Sequence, residues 1–141
     1  MESIVPDFLK DYLQELLQRF SEIQEVWLFG SQVNNTASKD SDWDVLLFAN
    51  LEVLGSFENN ISLKRMQVDL FIVYDGKRFK QPWVSLDKSL KQRTKKGNLE
   101  DWEFARISDS VAVYWGTKEN AEFIEKKMFR IWDKQKGWSQ N

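Results

Sequence analysis

Three aspartates and one glycine-serine pair are the residues whose types and spacing suit chemistry in this 141-residue chain. Asp42 and Asp44 flank Trp43 at the start of an apolar run, Val45 to Ala49. Side chains of an extended segment alternate with a period of two, so this spacing predicts two carboxylates on one face, able to converge on one ion. Asp69 stands inside a second aliphatic run, where an acid has poor strand propensity and a high desolvation cost without a partner. If the two runs are neighbouring strands, three carboxylates share one small volume and repel one another. A divalent cation relieves that conflict, and all-oxygen ligation favours Mg²⁺ or Mn²⁺. A cation held this way, with coordination positions left open, typically engages the phosphates of a nucleotide. Gly30-Ser31 suits the other half of such a site. Without a Cβ, Gly30 lets a phosphate approach the backbone, and Ser31 offers a hydroxyl and an amide to an anion.

Each feature has an ordinary structural reading beside the chemical one. An isolated Asp-x-Asp is more often a solvated turn or a helix cap, and Ser31 could equally be an N-cap. The combination with a downstream strand aspartate favours a site. A calcium loop is excluded by Val45, where glycine is needed, and by Leu51, where a bidentate glutamate is needed.

The composition narrows the chemistry further. With no His and no Cys, the chain cannot build Ser-His-Asp or Cys-His nucleophilic sites, the usual zinc sites, disulfides or a haem attachment. Its formal charge of -2 points to no nucleic-acid partner, although the charge is unevenly spread. Residues 77–96 hold eight basic side chains against Asp87 alone, a local +7 set against -9 elsewhere. This basic segment is either a solvated face or a recognition surface for a triphosphate tail or acceptor, with Lys88 and Lys91 the leading candidates. No export signal or membrane-spanning run is evident, so a cytoplasmic location is expected. The seven Trp are read as core or interface, with Trp83 or Trp102 the candidates to stack on a base and Trp43 facing away from the acids.

The elements that must position these residues follow from periodicity. Phe8, Leu9, Tyr12, Leu13, Leu16, Leu17 and Phe20 recur at helical spacing after Pro6 and Asp7. Strands are predicted at 25–29, 43–49, 66–74 and 111–115, the third with Val68, Leu70 and Ile72 on one face and Asp69, Phe71 and Val73 on the other. Asp75-Gly76 supplies a turn. Pro82 interrupts the next segment, which leaves a short helix at about 86–96. A closing helix is expected over about 117–134, with Ala121, Ile124, Met128, Ile131 and Trp132 as its apolar stripe. The whole reads as one α+β domain over 1–141, a small mixed sheet flanked by helices, with its core at about 7–116.

These residues resemble the DNA polymerase β superfamily of nucleotidyltransferases, and within it the small stand-alone members called minimal nucleotidyltransferases. The resemblance rests on Phe29-Gly30-Ser31, Ser41-Asp42-Trp43-Asp44-Val45, Gln67-Val68-Asp69-Leu70-Phe71 and the closing Val111 to Gly116, spanning roughly residues 7–116. It implies two Mg²⁺ ions and transfer of a nucleoside monophosphate, AMP from ATP being the expected case, to a hydroxyl with release of pyrophosphate. By the same resemblance Asp42 and Asp44 are metal ligands, Asp69 completes the site and helps activate the acceptor, and Gly30 with Ser31 holds the triphosphate. Many small members follow Gly-Ser with a small residue, an Arg and a Gly, where this chain has Gln32-Val33-Asn34-Asn35. The missing Arg leaves two expectations: a cation supplied from the basic segment, or weak or absent catalysis in a module that acts by binding a partner. Relatives of this size often work with a helical protein in trans, including as antitoxins, and a homodimer is a further option.

Overall fold

The computed structural model describes residues 4–34, 41–83, 95–115 and 125–139. Helix α1 (Asp7–Arg19) begins directly after Pro6, whose fixed φ suits a helix entry, and buries Leu9, Tyr12, Leu13 and Leu16. Strand β1 (Glu25–Phe29) follows, then β2 (Trp43–Phe48). Helix α2 (Leu51–Glu58) is capped by Asn50, whose Oδ1 accepts from the Val53 amide at 2.9 Å. Strand β3 (Val68–Val73) turns at Asp75-Gly76 into β4 (Arg78–Lys80). Asp75 Oδ1 accepts from the amides of Lys77 and Arg78 while Gly76 takes φ +85°, as the turn residues predict. The remaining strands are β5 (Lys96–Asn98), β6 (Ala105–Arg106), β7 (Val111–Trp115), β8 (Glu125–Asp133) and β9 (Gly137–Trp138).

The described strands join one mixed sheet in the order β5-β4-β3-β2-β1-β8-β7-β6, with β9 on β8. Among the described strands only β2 and β3 run parallel, and α2 lies in the crossover between them. Both helices cover one face, where Val26, Leu28, Val45, Leu47, Val68, Leu70 and Ile72 meet them. On the other face Trp27, Phe29, Leu46, Phe71, Val73, Phe79, Tyr114 and Met128 form a second cluster. The alternation read from 68–73 is therefore realised, and Trp43 packs toward the helices, away from Asp44. β4 and β7 stand five steps apart in the sheet, about 24 Å if it were flat. Yet Trp102 lies 4.7 Å from Phe79 and 5.5 Å from Tyr114 between ring centroids, so the sheet curls around its second cluster.

Two expectations are corrected. Of the closing helix at 117–134, residues 125–133 are strand β8, paired with both β1 and β7, and 117–124 lie outside the described residues. The spacing of Met128, Ile131 and Trp132 arises from a bulge rather than a helix: Val26 pairs with Trp132 and Trp27 with Arg130, leaving Ile131 as the extra residue. Of the helix at 86–96, only residues 95 and 96 are described, and Lys96 opens β5.

Candidate active site

Parallel pairing of β2 with β3 sets Asp44 directly opposite Asp69. Both project to the face carrying Phe29 and Phe71, and antiparallel pairing places Asp44 beside Phe29 at the end of β1. The chain then turns at Gly30, with φ +79°. A Cβ at Gly30 would come within 1.8 Å of Asp44 Oδ2, so the absent side chain is what admits the carboxylate.

Burial, reinforced by the charge of Asp69, pushes the Asp44 carboxyl up to about 7, although Lys95 and Lys126 oppose the rise. Burial likewise raises Asp69, against the charge of Lys95 and a hydrogen bond donated by Gln81 Nε2 to Asp69 Oδ1. Lys95 Nζ lies 4.0 Å from Asp69 Oδ2. The pair is thus two hard oxygen donors held in mutual repulsion, a donor set that fits a divalent cation such as Mg²⁺. Among the described residues, no three acidic side chains gather into one cation-binding group. Asp42 stands directly before β2 and is exposed. It remains near enough for its charge to raise both acids.

The Gly30 amide donates to Tyr114 Oη at 3.0 Å, and burial drives the Tyr114 hydroxyl up to about 12. Ser31 lies in a turn through residue 34, half-buried. Asn34 closes that turn: its Nδ2 donates to Gly30 O (2.9 Å) and Lys127 O (3.0 Å), while its Oδ1 accepts from the Lys127 amide (2.8 Å). Lys88 and Lys91 lie outside the described residues. Of the basic segment, Lys77, Arg78 and Lys80 pair with Glu100, Asp75 and Glu58, which leaves a solvated face there. Trp83 is buried in the core and donates to Phe57 O at 2.8 Å, while Trp102 packs among Phe29, Phe79 and Tyr114. The Trp83 indole is thus committed to the core, while Trp102 is partly exposed.

Sequence reasoning missed Gln81, Tyr114 and Lys126 as neighbours of the acids. Tyr114 was legible in the alternation of Ala112 and Tyr114 within 111–115, whereas Gln81 carries no signal and Lys126 was hidden by the helical reading of its segment.

Paired acids thus stand at one sheet end of an α+β fold, beside a turn that lacks a side chain. The nucleotidyltransferase domain model matches residues 9–136, so the chain belongs to that family and is a nucleotidyltransferase. A solved structure from Sulfolobus solfataricus, assigned as a nucleotidyltransferase, is similar at 15% identity and TM-score 0.49, covering 94% of this chain and 83% of the other. No curated protein matches the chain in sequence. No helix among the described residues is long and apolar enough to cross a membrane.

Proposed function

We propose that the chain transfers a nucleoside monophosphate, AMP from ATP in the first case, to a hydroxyl acceptor in a Mg²⁺-dependent reaction. The observation that carries this reading is the register pairing of Asp44 with Asp69 beside Gly30. Two half-buried carboxylates at adjacent positions destabilise the fold, and a module acting only by binding a partner would be more stable without one of them. Asp44 and Asp69 would hold Mg²⁺, with Asp42 contributing from the strand entry and Mn²⁺ a substitute. The chemistry such ions supply is neutralisation of charge developing on the α-phosphate and leaving pyrophosphate. The chain's own part is positioning. Gly30 and Ser31 admit the triphosphate to the backbone, and Gln81 orients the Asp69 carboxylate through its hydrogen bond. Asp69, raised by burial, takes the proton of the acceptor hydroxyl as its oxygen attacks the α-phosphate in line.

Calorimetric titration of ATP, with and without Mg²⁺, tests the site in the wild type and in Asp42→Asn, Asp44→Asn and Asp69→Asn. Metal-dependent binding lost in the Asp44 and Asp69 variants, and weakened in Asp42→Asn, is expected. A wild type that binds no ATP with Mg²⁺ would overturn the reading. Incubation with α-labelled ATP and cell lysate then identifies the acceptor, which a helical partner protein or a small molecule could supply.

A further inference from the structure

Between Ser31 and Asn34 the turn carries no cationic side chain, and Asn34 ties it to a neighbouring strand. Asn34 uses both ends of its amide on the backbone of Lys127 and also donates to Gly30 O. The side chain thereby extends the β1–β8 ladder past the end of β1, where Leu28 pairs with Phe129, and ties the Gly30-Ser31 turn to the start of β8. What β8 presents there is Lys126. Its Cα pairs with Tyr114, and directly opposed residues in an antiparallel pair share a face. Tyr114 and Met128 both belong to the cluster on the acidic face, so Lys126 points to the side of the sheet that carries Asp44 and Asp69. Across this sheet end the side chains run Lys126 and Tyr114, then Gly30, Asp44 and Asp69, then Gln81 and Lys95.

The two flanking lysines differ. Lys95 lies 4.0 Å from Asp69 and is more than half exposed. Lys126 is half-buried and, among the described residues, makes no ion pair within 4.0 Å. Its charge nonetheless reaches Asp44. An ammonium held on a strand beside the Gly-Ser turn, with no carboxylate paired to it among the described residues, is suited to an anion that binds at that turn.

Resting on the nucleotidyl-transfer reading above, we propose that Lys126 binds the terminal phosphates of the nucleoside triphosphate, and that Asn34 is the positioning residue coupling the Gly30-Ser31 turn to the strand that delivers it. The turn holds no cation between Ser31 and Asn34, a neighbouring strand supplies one, and Asn34 fixes the distance between them.

The test compares ATP with AMP, each titrated in Mg²⁺ buffer against the wild type, Lys126→Met, Lys126→Arg and Asn34→Ala. Loss of one charge-assisted contact predicts that Lys126→Met weakens ATP by about 10- to 100-fold while leaving AMP within about twofold. Lys126→Arg should retain most ATP affinity, and the dependence of ATP binding on salt should be shallower in Lys126→Met. Asn34→Ala should lose the preference for ATP over AMP in the same way, with thermal unfolding run alongside. A structural role alone would weaken both nucleotides in proportion to lost stability, and that result would overturn the positioning role. Wild-type ATP affinity in Lys126→Met, or equal loss of ATP and AMP, would overturn the Lys126 assignment while leaving the active site intact. Absence of ATP binding by the wild type would instead remove the reading on which the inference rests.

Discussion

Setting Asp44 against Asp69 gives the protein a pH dependence whose sign can be worked out. The Asp44 carboxyl is raised from the usual carboxylate range to about 7, first by burial and then by Asp69. Between about pH 4 and pH 7 the folded state therefore holds a proton that the unfolded chain has released, so stability falls as pH rises through that window and is level above it. Asp44→Asn removes the penalty. In chelator, urea unfolding should show the variant more stable than the wild type by about 1–3 kcal/mol at pH 8, with the gap closing toward pH 4. The same variant should lose nucleotidyl transfer. Equal stability at pH 8 would mean that the acids are not in repulsion. Gly30 is the matching case for space, because the sequence marked it for phosphate approach and the fold also uses its bare Cα to seat Asp44.

At the scale of elements, the end of the sheet remote from the acids is held by charge. Arg106 of β6 donates to both carboxylate oxygens of Glu25 on β1, at 2.8 and 3.0 Å. Arg130 of β8, only 8% exposed, reaches Glu25 at 3.3 Å and Asp133 at 3.1 Å. Burial works against ionised Glu25, but the Arg106 hydrogen bonds and charge outweigh it and hold its carboxyl below the ordinary range. Glu25→Ala leaves the buried Arg130 guanidinium with Asp133 as its remaining ion-pair partner. A loss of about 2–4 kcal/mol in urea unfolding is expected, because an under-paired buried charge costs more than the pair contributes. A change below about 0.5 kcal/mol would show the network to be an ordinary surface one. A buried arginine also explains why β8 was misread. Strand periodicity in 125–133 places Met128 and Arg130 on one face, and a charged residue at an interior position masks the alternation.

For the molecule as a whole, one indole closes the curl. Trp102 touches Phe29 of β1, Phe79 of β4 and Tyr114 of β7, joining strands that are distant in sheet order. Trp102→Ala should cost about 2–4 kcal/mol, seen as a lower urea midpoint, and should weaken ATP binding because Phe29 and Tyr114 frame Gly30. A variant with unchanged midpoint and affinity would show that the curl stands without it. Several features were legible in the sequence alone: α1, the strands read at 25–29, 43–49, 66–74 and 111–115, of which the second and third form over 43–48 and 68–73, the Asp75-Gly76 turn, and the candidacy of Asp44, Asp69 and Gly30. Each depends on local periodicity or on a residue type out of place, and both are written in neighbouring residues. Tertiary structure decided that Asp44 and Asp69 share a register position. It also brought Tyr114, Gln81 and Lys126 to the acids and made the final apolar stripe a strand. Those outcomes depend on which strands become neighbours, and pairing between residues far apart in sequence leaves no periodic trace in either one.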